Sequence, residues 1–221
     1  VFAGAPAPDA PLSPFAQVLH TLWGLADPVA ARRQEDAAAL ALLGVEGMYW
    51  PYLDCIYRRA ADGCFVCDSE EALFGEVHPA DDALTAELSD RLRALSREQV
   101  GAVYAPLAVG HHVDHQVVRR AVKGLEGVVY YEDYPYAAEP GALEAALGGG
   151  QVPPPPGGRS GGGESEGFPQ QWQIEHVALS PQALETKIAA IACYGSQLTA
   201  LDWADAAEMT AAGGTIRPLP A

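Results

Sequence analysis

The segment DPVAARRQEDAAALALLG carries its own start and stop. Asp27 is an N-cap, Pro28 takes the first helical position where its missing N–H is no loss, and Gly44 supplies a left-handed terminator, so a helix over 28–43 is expected. VEGMYW reads as a strand after it, and HPADDALTAELSDRLRALS as an amphipathic helix from about Pro79 to Ser96. VGAVYAPLAV is rich in β-branched residues and reads as a strand; a helix from about Val113 to Lys123 and a strand GVVYYED follow. This alternation predicts an α/β domain with a mostly parallel sheet. WQIEHVALS suggests a further strand, and Ser180 with Pro181 opens the helix PQALETKIAAIACYGSQLTAL. Between Ala137 and Gln171 the pattern dissolves into Gly and Pro, so 138–170 is expected to be a flexible loop, the outer part of an active-site lid. The tail AAGGTIRPLPA has the composition of a frayed end, and the opening VFAG resembles the tail of a strand whose first part is missing.

The 221 residues fit a single domain spanning 1–221. With 13 Lys+Arg against 29 Asp+Glu, a net charge of -16 repels a phosphate backbone and an anionic membrane surface, which argues against nucleic-acid partners. No apolar stretch approaches the roughly 18 to 20 residues needed to span a bilayer, and a cytoplasmic protein is expected. Four cysteines are too few for a disulfide scaffold; Cys64 and Cys67 form a lone C-x-x-C, read as a short polar hairpin whose two thiols face the same side. No G-x-G-x-x-G follows any predicted strand, which speaks against a nucleotide-binding fold.

The densest chemistry is VGHHVDH, with three histidines and an aspartate at the carboxyl end of a predicted strand, where open α/β sheets bind ligands. On a helix starting at Val113, His112 and His115 share one face, and the aspartate between them can hold an imidazole by its second nitrogen. A catalytic zinc needs about three protein ligands and an open position, more than this cluster offers. HPADD, His78 to Asp82, has similar letters but follows no strand, and its acidic residues fit the first turn of a helix. PAPDA lacks a histidine, and His20 and His176 stand alone, as packing residues.

The ordered blocks VFAG, LSPFA, RRQEDAAALALLG, YLDCIYR, PLAVGHHVDH, YYEDYPYA and KIAAIACYGSQL resemble the PIG-L/LmbE-like family of zinc-dependent de-N-acetylases over essentially the whole chain. The resemblance implies a Rossmann-like three-layer α/β sandwich and hydrolysis of the N-acetyl group of an N-acetylglucosamine-type conjugate, a small-molecule partner. It places the family's H-x-D-H on His112, Asp114 and His115, with His115 as a Zn2+ ligand and His112 stabilising the oxyanion, protonated and oriented by Asp114. It places the family's R-x-x-E on Arg32 and Glu35, with Arg32 reaching substrate, and sugar hydroxyls on Asp54. His111 stands where relatives often have Gly and receives no role beyond lining the mouth. The family's HPDDE motif, which supplies two further zinc ligands and a general-base Asp, is absent from the sequence, and the aromatic and acidic residues that follow the SQL helix in relatives are absent too. A domain incomplete at both ends, with an incomplete zinc site and no activity by itself, is therefore expected. The alternative is a non-catalytic binding or scaffold protein of the same fold that has lost its metal.

Overall fold

The computed structural model describes residues 1–98, 101–147, 175–200 and 215–218. Helices are α1 (Pro14–Trp23), α2 (Pro28–Leu43), α3 (Glu70–Leu73), α4 (Asp82–Glu98), α5 (Val113–Ala121), α6 (Ala142–Ala146), α7 (Pro181–Ala192) and α8 (Gly195–Ala200); strands are β1 (Val103–Pro106), β2 (Val128–Tyr131), β3 (Glu175–His176) and β4 (Thr215–Pro218).

Local signals set the helix ends. The Asp27 carboxylate accepts from the Ala30 N–H at 2.9 Å, and Gly44 closes α2 in the left-handed conformation at φ 67°. Ser13 and Ser180 cap α1 and α7 in the same way, each followed by proline. The long C-terminal helix expected from Pro181 breaks at Cys193 and Tyr194, and α8 resumes at Gly195.

The fold is α/β, with a sheet in the order β1-β2-β4-β3: β1 and β2 run parallel, while β4 pairs antiparallel with both β2 and β3. Thr215–Pro218, expected to fray, instead forms a strand, because β2 offers it an open edge with Tyr131 opposite Ile216. VEGMYW, residues 45–50, is not a strand: no ladder forms there, and single bridges link Phe2 to Pro51 and Gly4 to Leu53 just beyond it. The helix expected from Pro79 begins as a 3-10 turn, Pro79–Asp81, before α4. Part of the region expected to be irregular is ordered as α6; the rest of that loop, from residue 148 to 170, lies outside the described residues.

Helix α5 packs on β1 and α4, where Val117, Ala121 and Leu88 are buried. A second core lies along the strands, with Ala105, Leu107, Val109, Val128 and Tyr130, covered in part by Leu143 and Ala146 of α6. A third joins Ala16 of α1 to Cys55, Ile56, Tyr57, Cys67 and Val113. These cores fix the β1 end, the 53–58 segment and the start of α5 against one another, and that junction is where the predicted site residues meet.

Candidate active site

Between β1 and α5 the backbone makes a tight turn in which Ala108, Gly110 and His111 all have positive φ, at 61°, 83° and 62°. His111 therefore occupies a conformation that glycine adopts freely, and its backbone carbonyl accepts from Gln116 Nε2 at 2.6 Å. The turn delivers His112 as the N-cap of α5, its Nδ1 accepting from the Asp114 N–H at 3.2 Å.

That bond corrects the expected pairing. The carboxylate of Asp114 does not hold the His112 ring: its oxygens accept from Arg58 at 2.7 Å and from the Cys55 N–H at 3.2 Å. With Nδ1 accepting, a neutral His112 carries its proton on Nε2. Burial, and then the neighbouring His115, push its pKa down, so the imidazolium expected from the resemblance is disfavoured.

His115 lies one turn along, its ring centroid 5.1 Å from that of His112. Its Nδ1 is 2.6 Å from Oδ1 of Asp133, a fully buried carboxylate whose other oxygen accepts from the Val109 N–H at 3.0 Å. The His115 contact is short but too poorly aligned for a formed hydrogen bond, leaving both atoms otherwise without a partner. An imidazole backed at Nδ1 by a carboxylate, with Nε2 left over, is the arrangement found behind metal-bound histidines. Phe74 and Tyr136 wall the pair, at 5.9 Å from His112 and 6.3 Å from His115 respectively.

Arg58, on YLDCIYR, is the hub beneath. It binds Asp81 through two 2.9 Å contacts and also donates to the Leu53 carbonyl at 3.0 Å. Asp81 is thus no mere first-turn acid, as HPADD had suggested; it is buried against a guanidinium, while His78 is exposed and caps its own 3-10 turn. Asp54 caps the earlier 3-10 turn, Cys55–Tyr57, accepting from the Ile56 N–H at 3.2 Å.

Arg32 stacks on Trp23 at 3.9 Å and, with the Gln197 amide oriented to present its oxygen, donates to it from Nε at 2.9 Å and NH2 at 2.7 Å. Burial lowers the Arg32 pKa, and Asp54 and Tyr57 act in the opposite sense, which sets both groups close to the guanidinium. Glu35 also acts on the Arg32 charge and fastens α8, accepting from Ser196 N at 2.8 Å and Oγ at 2.6 Å. His20 is not isolated: Nε2 and the Tyr57 hydroxyl are 2.7 Å apart, because α1 packs on the 3-10 turn that carries Tyr57. The two thiols of the C-x-x-C diverge, Cys67 buried and Cys64 exposed, so they do not share a face. His176 falls in β3.

Among the described residues, the three donors that come within 4.8 Å of one another are Asp54, Cys55 and Asp114. They suit a cation poorly. Asp114 is already bound to Arg58, and a hydrogen bond with Cys67, together with burial, raises the Cys55 thiol far above its usual range. No such set forms around His115 among the described residues, so they supply one backed imidazole and not a complete zinc centre.

The fold is that of an α/β chain built like deacetylases of known structure. Its structure matches that of a deacetylase from the teicoplanin biosynthesis pathway with a TM-score of 0.76 and 29% identity, covering 99% of this chain and 84% of that one. The zinc-inhibited form of a teicoplanin deacetylase matches with a TM-score of 0.73 and 28% identity, over the same shares. In sequence, the chain is 47% identical over 47 residues to the 2'-N-acetylparomamine deacetylase of Streptomyces fradiae; the match covers 19% of this chain and 17% of that protein. No family model matches. No described helix is long and apolar enough to cross a membrane.

Proposed function

We propose that this chain is a PIG-L/LmbE-like deacetylase domain that removes an N-acetyl group from an N-acetylglucosamine-type conjugate. The observation that carries the reading is the meeting of His112 and His115 at the β1 end with Asp54 and Arg32, two chemistries that hydrolysis of an acetylated sugar requires. The likeness to deacetylases over nearly the whole chain supports it.

In this reading Asp54 and the free edge of the Arg32 fork hold sugar hydroxyls. His112 stabilises the oxyanion of the tetrahedral state as a neutral Nε2–H donor, a role that needs no prior protonation. Asp114 shapes the site through the Cys55 N–H and Arg58, and Asp133 aims His115. Zinc, when bound in such a deacetylase, polarises the amide and its attacking water, and we assign His115 as one of its ligands. Four free thiols accord with a cytoplasmic setting.

Two measurements test this. Calorimetry with a methyl glycoside of N-acetylglucosamine is expected to show binding that weakens by about tenfold in Asp54→Ala and in Arg32→Ala, the loss of a hydrogen bond to a charged group. Equal affinity for the acetylated and the free amino sugar would instead favour a binding or scaffold protein, the rival to which the single backed imidazole lends weight. The 221-residue chain by itself is expected to retain far less than one zinc per chain and to release no acetate; stoichiometric zinc lost on His115→Ala would show that other residues of this chain complete the site.

A further inference from the structure

Cys64 and Cys67, adjacent in the sequence motif, do not meet in the fold, and Cys67 has a different sulfur beside it. Residues 58–66 make a small hairpin. The Val66 N–H donates to the Arg58 carbonyl at 3.1 Å, Arg59 bridges to Phe65, and the Ala60 N–H donates to the Cys64 carbonyl at 2.8 Å. One step further along this register, the chain at 67 comes back toward residue 57, the end of the 3-10 turn that Cys55 opens. Both cysteine side chains are fully buried in one core cluster with Ala16, Ile56 and Val113, and a hydrogen bond joins the two thiols. A disulfide requires two sulfurs that the backbone already brings together, and the hairpin supplies that meeting for Cys55 and Cys67.

We propose that Cys55 and Cys67 are a reversible disulfide site, closed by a low-molecular-weight disulfide such as oxidised glutathione and opened by the matching thiol. In closing, the thiolate of one cysteine attacks the glutathione disulfide, forming a mixed disulfide and releasing one glutathione thiolate. The thiolate of the second cysteine then attacks the protein sulfur of that mixed disulfide and releases the other glutathione. Two protein thiols are oxidised, one glutathione disulfide is reduced, and the two protons end on the released glutathiones. The hydrogen bond with Cys67 and burial hold Cys55 as a thiol, so exchange runs through opening of the hairpin. The bond ties the hairpin to the turn that Asp54 caps, and it removes the proton that the Cys55 thiol donates to Oδ1 of Asp54 at 3.4 Å. The Ile56 N–H, 3.2 Å away, still donates to that oxygen. The inference goes beyond the amino-sugar reading and does not depend on it; in a reducing compartment the pair stays open.

The test uses the full chain with Cys64→Ser and Cys193→Ser, the two cysteines that are not buried, so that the buried pair alone can react. It is held in buffers of set glutathione ratio, with urea below the unfolding midpoint to admit the reagent. Intact mass is expected to fall by two hydrogen atoms with no glutathione attached, and both thiols to be lost to alkylation. Half-oxidation should come at a level of oxidised glutathione at least about tenfold below that needed by a linear peptide of residues 55–67 with the same Cys64→Ser change, because the fold holds the sulfurs together. The oxidised chain should unfold at higher urea than the reduced one, as closing a loop in the unfolded chain requires, and dithiothreitol should erase the difference. Adding Cys67→Ser should abolish both the mass loss and the shift in midpoint. A chain that keeps both thiols, takes up glutathione instead, or oxidises no more readily than the peptide would overturn the proposal. So would a bond that lowers the urea midpoint, or peptide mapping of the chain with all four cysteines that recovers Cys64 linked to Cys67.

Discussion

Replacing Arg58 by alanine is expected to lower the free energy of unfolding by about 3–5 kcal/mol, the loss typical of a buried ion pair broken on one side. The guanidinium is the shared partner of Asp81 and Asp114, whose side chains are 5% and 7% exposed, and its removal leaves two carboxylates in the interior with no cation. It also frees the Leu53 carbonyl next to Asp54. Urea unfolding gives the number, and Arg93→Ala is the control. The Arg93 pair with Asp90 is 3.4 Å long and largely in solvent, so its loss should change stability by no more than about 0.5 kcal/mol. Similar midpoints for the two variants would mean that Arg58 is not the keystone described. Joint replacement of Arg58 and Asp81 by apolar residues should still be destabilising, because Asp114 remains unpaired.

Gly110→Ala should be the second most damaging of these substitutions. A Cβ there would lie 2.4 Å from Cγ of Tyr136, and the residue has φ 83°, where a side chain adds about 1–2 kcal/mol of strain. Displacing Tyr136 adds an overpacking penalty of about 1–3 kcal/mol. Gly124→Ala separates the two effects, since Gly124 has the same φ of 83° and nothing within 4 Å of a Cβ. The difference between the variants in urea midpoint therefore measures the clash alone. Because Tyr136 sits against His115 and Phe74, Gly110→Ala should also weaken glycoside binding, which Gly124→Ala should not. Matching losses of stability in both variants would sink the account of Gly110 as a close-packed turn.

The elements legible in the sequence were those whose signals are local. Asp27, Pro28 and Gly44 lie within one helix, so α2 could be read to its ends; the parallel pair β1 and β2 followed from two β-branched runs around a helix. His112, Asp114 and His115 stood out because five residues carry them. What escaped depended on partners far away in the chain. Nothing near Asp81 announces Arg58, 23 positions earlier, and nothing near His115 announces Asp133. His20 looked solitary because Tyr57 lies 37 residues on. VEGMYW has the composition of a strand and lacks a neighbour to pair with, while β4 has the composition of a loose end and finds one. Periodicity records what a segment prefers, and the sheet records what is available to it. The Asp133 carboxylate might have been sought in YYEDYPYA as an acidic residue just past a strand end, but only the fold places it opposite the histidine.

Asp133 has one oxygen on the Val109 N–H and the other against His115. Val109 lies just past β1 and Asp133 just past β2, and Leu107 N–H already meets the Tyr131 carbonyl at 2.9 Å between them. The direction in which His115 points is consequently indexed to the alignment of two neighbouring strands. A slip of one residue between them would part Asp133 from the Val109 N–H and from His115 at once. The sheet thus acts as a gauge as well as a scaffold: the imidazole has its carboxylate behind it only when the strands are in step.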